Sequence, residues 1–404
     1  MTRIFVIAAL MAASTGAVVS AASDNIVAVA RPEIKAVDIP NASMFFETEI
    51  SKGVEAGAVC YKTITHDDVI TMVKEAQIEQ ALTDNERITN AMMTMGGQFG
   101  SARYLALMFV GQVGAKYVLA GTLLDAKSAT RVASGQQTFD KADVLANGAV
   151  RSLFKSLATK LPCSLEISGT RQIDLAKIAN ADDTAFAPNL QAMRLLAPLG
   201  LGGEPTFSGR GSQSDTLVAE IKGGDQDATI GGTATWTSTM DAPVVNMSSP
   251  GADVVMRRAP YTLKFDGEAV TGTYDDASNK ASFALELLEQ GTATGGAGQA
   301  TVTLKNQLAG LIGALDSIES AAKALGVNVK ALEQEAASAS GAPAGFDPHK
   351  ATNTLPVPSP GQTDAAYFRL SFDLNMRDDD EKRVSGNDSL GPYNYVVRVK
   401  REHK

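Results

Sequence analysis

The chain has 404 residues, enough for two or three domains, with 36 basic against 45 acidic side chains and a formal net charge of −9. That acidic balance argues against a nucleic-acid partner and against a polybasic patch for anionic membranes. Residues 1–22 have the form of an export signal. Arg3 supplies the positive flank, and Ile4 to Val19 is an apolar core too short and too rich in Ala and Ser to span a bilayer. Ser20-Ala21-Ala22 then offers the small residues that precede cleavage, here before Ser23. No Cys follows the core, so no lipid anchor is expected. Loss of Arg3 leaves 35 basic against 45 acidic residues, a balance of −10. No later segment is apolar enough for long enough to cross a membrane as a helix. The expected location is the periplasm, with association to the outer membrane or secretion beyond it.

The first domain is expected over residues 23–163. Ile26 to Arg31 reads as a strand, Ser43 to Gly53 as a helix with Phe45, Phe46, Ile50 and Val54 on its apolar side, and Ala58 to Ile64 as a second strand. Thr65-His66-Asp67-Asp68 opens a helix in which Val69, Met72, Val73, Ala76, Ile78 and Leu82 recur at helical spacing. Asn85 to Met95 and Ala102 to Val113 read as helical or mixed. Tyr117 to Leu124 is an apolar run suited to a strand covered on both faces, and Arg131 to Gly135 begins the return strand. Asp140 is placed to cap a final helix whose inward stripe is Leu145, Ala149, Leu153 and Leu157. Cys60 and Cys163, the only two cysteines, bracket this domain. An oxidising compartment permits a bridge, which would stabilise the fold by about 4–5 kcal/mol, and two separate buried thiols are the other reading.

Residues 26–163 resemble the module shared by the amino-terminal domain of TolB, the curli secretion protein CsgG and the lipoprotein LpoB. The matching stretches are THDDVITMVKEAQIEQAL, GAKYVLAGTLLD with Lys116 in place of the family's acid, RVASGQQTF and the closing amphipathic helix. The resemblance implies a small mixed sheet with helices on its faces, and a role in assembling or regulating outer-membrane machinery through protein contacts. It implies no catalytic residues and no cofactor. It covers about a third of the chain. The lipid-bearing Cys, the propeller repeats and the pore-forming hairpins of individual members have no counterpart here.

Residues 164–204 read as a connector, in which Leu165 to Ile173 suits a strand and Ala187 to Leu196 a short helix. A β-rich domain, a sandwich or small barrel, is expected over 205–306, with strands at Thr216–Lys222, Ala228–Thr239, Tyr261–Phe265, Ala269–Tyr274 and Ala281–Leu288 and a hairpin turn at Asp266-Gly267. An amphipathic helix follows over 307–337, then a Pro/Ala/Ser linker over 338–363. A C-terminal hairpin over 364–404 carries the alternating strands Ala366–Met376 and Tyr393–Val399. The expected class is therefore α+β: a mixed sheet with flanking helices, then a mostly antiparallel β domain and a C-terminal strand pair.

No catalytic or metal constellation emerges. His66, His349 and His403 stand far apart in unlike contexts, Asp378 to Glu381 lacks the spacing of a calcium loop, and no phosphate loop or nucleophile elbow is present. The residues named as partner-facing are Phe368, Leu370, Phe372 and Trp236. The reading is a non-enzymatic periplasmic envelope protein, with envelope proteins and a second copy of the chain as candidate partners. The alternative is a secreted binding module or adhesin that recognises a surface ligand through the β domain.

Overall fold

The computed structural model describes residues 26–35, 42–65, 102–125, 128, 130–140, 148–174, 206–224, 228–248, 251–275, 277–305, 345–347, 350–359 and 364–401. Among them strands dominate. There are two helices, α1 (Ala42–Gly57) and α2 (Ala149–Ala158), against eighteen strands. The fold is mostly β, which corrects the expected balanced α+β class. The helices expected at Thr65–Leu82, Asn85–Met95, Ala187–Leu196 and 307–337 lie outside the described residues, as does Leu145 of the α2 stripe.

The first unit is a six-stranded sheet. Strands β1 (Ile26–Val29), β2 (Glu33–Ile34), β3 (Lys62–Ile64), β4 (Tyr104–Val113), β5 (Lys116–Asp125) and β6 (Thr130–Phe139) run in the order β3-β1-β4-β5-β6, with β2 beside β4. The β3-β1-β4 part is parallel and β4-β5-β6 antiparallel. β4 replaces the helical or mixed segment expected at Ala102–Val113. YLALMFV is a continuous apolar run, which periodicity cannot assign, and pairing with β1 on one side and β5 on the other makes it a buried strand. Ala149, Leu153 and Leu157 are buried, so the inward stripe of α2 packs on the sheet as read. α1 lies beside α2 at backbone contact: a Cβ on Gly53 would stand 2.6 Å from the Arg151 carbonyl oxygen. Glycine is what lets the two helices touch there.

The second unit is a twelve-stranded sheet built from β7 (Ser164–Asp174), β8 (Thr206–Gly223), β9 (Thr229–Ser248), β10 (Ala252–Arg258), β11 (Tyr261–Asp275), β12 (Lys280–Gly291), β13 (Thr294–Gly295), β14 (Gly298–Leu304), β15 (Thr352–Val357), β16 (Asp364–Asn375), β17 (Glu381–Asn387) and β18 (Pro392–Lys400). β8 and β9 form one long antiparallel hairpin whose two halves serve different neighbours. Thr229–Met240 of β9 pairs with β11, and Val244–Ser248 pairs with β10. One branch therefore runs β9-β10-β14-β15, and the other runs β17-β18-β7-β8-β9-β11-β12-β16.

Three local readings are corrected by this topology. Asp266-Gly267 is a bulge inside β11, where the register slips between Asp266 and Glu268 and Gly267 has φ +83°. A DG pair supplies the positive φ that a bulge needs as readily as the one a hairpin needs. Thr352–Val357, inside the expected linker, is strand β15 on β14. The two C-terminal strands do not pair with each other: β16 pairs with β12, and β18 with β7. Isolated strands leave an open ladder on each side, and both found one in the large sheet.

Candidate functional site

The branch that ends in β16 curls into a roll whose end strand lies across β7 and β8. Period-two alternation sends one face of each strand inward. From β16 come Phe368, Leu370, Phe372 and Leu374, from β9 Trp236, and from β18 Tyr395, Val397 and Val399. Trp236 stacks on Phe265 at 4.8 Å, Phe283 on Phe372 at 5.1 Å, and Phe368 meets Tyr395 edge-on at 5.4 Å. Thus Phe368, Leu370, Phe372 and Trp236, expected to face a partner, are core residues. The alternation that marked Phe368, Leu370 and Phe372 as one apolar face of their strand was correct, and the sheet itself covers that face.

Polar residues stand at inward positions among them. Asp215 of β8 is 2% exposed and accepts hydrogen bonds from Tyr395 Oη at 2.6 Å, Gln213 Nε2 at 2.9 Å and Trp236 Nε1 at 3.1 Å. Burial pushes its carboxyl above the usual carboxylate range, against the pull of these donors and of Ser238. Burial, with the Asp215 charge beside it, likewise pushes the Tyr395 hydroxyl up. Arg171 of β7, fully buried, donates to Asp388 at 2.5 and 2.7 Å and lies over the Tyr393 ring at 4.9 Å. Burial opposes its charge, and the hydrogen bond and charge of Asp388 together with Tyr395 outweigh that and hold the guanidinium above its ordinary range.

These residues close the roll. Arg171 Nη2 donates to the carbonyl of Arg369 at 2.7 Å, and Gln213 Nε2 to the carbonyl of Tyr367 at 2.9 Å. Both acceptors belong to β16, whose ladder partner is β12. Two buried side chains thus satisfy β16 carbonyls where no strand of the described residues does. Chemically the cluster is a structural network in which Arg171 Nε alone lacks an acceptor, with its Asp215 carboxylate already bonded to Tyr395, Gln213 and Trp236 and shielded from solvent.

Two other places gather polar groups. A shallow groove of about 310 Å³ on β8, β9 and β10 is lined by Thr206, Ser208, Asn246, Ser248 and Asp253. Ser248 Oγ donates to Asp253 at 2.6 Å, and Lys305 stands 3.0 Å from the same carboxylate. The Ser248 hydrogen bond and Lys305 hold Asp253 below its usual range, which makes it a poor base for activating the serine. The second place is the junction of the two units. Cys60 and Cys163 are joined there by a disulfide with Cα atoms 6.1 Å apart. Beside it Tyr61 Oη lies within donating distance of the carbonyls of Pro162, at 2.7 Å, and Arg401, at 2.9 Å, Arg377 stands 3.7 Å from Glu55 of α1, and Lys62 pairs with Asp378. Asp378, expected in a solvated charged turn, is thus partly a tie between the units. The three histidines lie outside the described residues, and among those described no group of three metal-ligating side chains converges. None of the described helices is long and apolar enough to cross a membrane, which leaves spanning by strands untouched.

Asp215, Gln213, Arg171 and Asp388 were not singled out by the sequence. The available signal was register: Gln213 and Asp215 occupy the same alternate positions as Leu217, Ala219 and Ile221, which are buried.

No known family and no curated protein matches the sequence. Among solved structures, the chain is similar to the C-terminal domain of LpoB from Salmonella enterica, at 10% identity over 33% of this chain and 93% of that one, with a TM-score of 0.24. It is similar to lipoprotein GNA1162 from Neisseria meningitidis at 15% identity, over 39% and 99% of the two chains, with a TM-score of 0.25. It is similar to TolB from Acinetobacter baumannii at 8% identity, over 70% and 80%, with a TM-score of 0.22.

Proposed function

We propose that this protein is exported to the bacterial envelope and works there by binding other proteins, without chemistry of its own, in assembling or regulating an outer-membrane machine. The observation that carries the reading is the Cys60–Cys163 bridge, buried at the junction of the two units in a chain whose first 22 residues have the form of an export leader. Structural disulfides belong to oxidising compartments. The non-enzymatic half of the reading is supported by the polar interior, where Asp215 and Arg171 are committed to neighbouring strands. The TolB/CsgG/LpoB-like motifs of residues 26–163 support the envelope role.

Fractionation of a Gram-negative host expressing the full chain tests this. The expected product sits in the periplasmic or outer-membrane fraction, begins at Ser23 and takes up no alkylating reagent before reduction. Retention in the cytoplasm with both thiols alkylated contradicts the reading. Glycan binding by the roll, with no envelope protein co-purifying, would favour the secreted binding module instead.

A further inference from the structure

Sheet edges that stay open are commonly blunted by brevity, proline or charge. Four edges here follow that pattern or are otherwise held. β3 has three residues, β15 carries Pro356, β17 carries Glu381, Lys382 and Arg383, and β16 is held by Arg171 and Gln213. β6 differs. It runs ten residues from Thr130 to Phe139 without a proline; its one bulge, at Val132, lies near the Thr130 end, and from Ala133 to Phe139 the strand is regular and uncharged. Among the described residues no strand pairs with its outer side.

We infer that this edge pairs with the same edge of a second copy of the chain, antiparallel, about a twofold axis at Gly135. A bare strand edge is a row of backbone donors and acceptors, complementary to another extended chain. Charge selects the antiparallel self-pair. With Gly135 on the axis the bulge at Val132 advances the register by one, so Arg131 of each copy lies opposite the partner's Thr138, on the face away from the helices and diagonal to the partner's Asp140 on that same face, and each end of the new ladder gains a cation–carboxylate pair. In-register parallel pairing would set Arg131 against Arg131. Among the described residues neither Arg131 nor Asp140 is held in an ion pair. The residues between them that face away from the helices, Ser134, Gln136 and Thr138, are exposed and neutral.

Helix packing selects the same arrangement. α2 lies over the β5–β6 pair, with Leu157 close to both Gly121 and Gly135. Strands are spaced about 4.8 Å. Two α2 helices related by an axis half a spacing beyond β6 therefore stand about 10 Å apart, the separation at which helices pack. α1 covers one side of α2 along the Arg151 and Lys155 backbone. The opposite side carries Ser152 and Ser156, small, exposed and four residues apart, which leaves room for a second helix. The product is one continuous sheet through both copies, with the paired helices on a common face.

Sedimentation velocity on the full chain, from low to high micromolar protein, tests the inference. The expected result is a concentration-dependent species of twice the 42.2 kDa chain mass, or twice the mature mass once the leader is removed. Gln136→Lys, which sets a lysine from each copy beside the axis, should raise the dimer dissociation constant at least about tenfold. As a second arm, a mixture of Ser134→Cys and Gln136→Cys chains should cross-link on oxidation, because position 134 of one copy lies opposite 136 of the other. A chain that stays monomeric throughout, a dimer whose dissociation constant Gln136→Lys leaves unchanged, or a cysteine mixture that does not cross-link overturns it.

Discussion

The six-stranded sheet and the roll both bury an apolar core, but they seal it differently. In the first unit the seal is backbone on backbone. The β3-β1-β4-β5-β6 ladder is continuous, and α1 and α2 approach closely enough for Gly53 to meet the Arg151 carbonyl. In the roll the ladder stops at β16, and side chains from β7 and β8 span the remaining gap. The first kind of seal tolerates no added volume. The second tolerates no lost partner, because a buried charge or carbonyl left alone costs more than the bond it replaced.

Substitutions sharpen that contrast, beginning with the largest effect. Arg171→Ala leaves the Arg369 carbonyl without its donor and the Asp388 carboxylate with only the Leu390 and Gly391 amides. The expected loss is about 3 kcal/mol, the low end for a broken buried pair, because Asp388 keeps those two donors and 22% of its side-chain exposure; it is read as a shifted urea midpoint. Gly53→Ala sets two effects of opposite sign against each other in α1. Helix propensity alone would stabilise by roughly 0.5–1 kcal/mol, whereas the forced displacement of α2 costs about 1–3 kcal/mol. Net destabilisation is expected, and a higher melting temperature for this variant would show that the helices are not in backbone contact.

The smallest effect is a pH dependence. Asp215 holds its proton to higher pH in the folded chain than in the unfolded one, because burial disfavours its charge. The stability it contributes is therefore complete below the unfolded carboxylate range and is lost as pH rises through the folded pKa. Asp215→Asn has no such term. The stability difference between variant and wild type should move in the variant's favour as pH rises from about 4. A difference that stays flat, or moves the other way, would mean that the hydrogen bonds from Tyr395, Gln213 and Trp236 dominate.

Much of the backbone was legible in the residues. The apolar Tyr117–Leu124 run is β5, and the alternation of Phe368, Leu370, Phe372 and Leu374 marks the buried face of β16. Periodicity failed where it carries no information. Leu105 to Val110 is apolar throughout, so its strand state comes from its neighbours in the sheet. Asp266-Gly267 announces a positive φ without saying whether the chain turns or bulges there. The linker reading of Thr352–Val357 rested on composition, yet Asn353, Leu355 and Val357 are buried beside β14. The polar network stayed hidden for a different reason. Arg171, Gln213, Asp215 and Asp388 come from three distant stretches, and only the order β18-β7-β8, with β16 folded over it, brings them together.

β16 is held to the roll by Arg171 and Gln213. Amide hydrogen exchange in an Arg171→Met, Gln213→Leu double variant tests it most directly, since both replacements keep side-chain bulk while removing the donors. Exchange at Phe368 to Leu370 should accelerate at least about tenfold, while the amides of β4 and β5 keep their protection. Unchanged protection along β16 in that variant would contradict it.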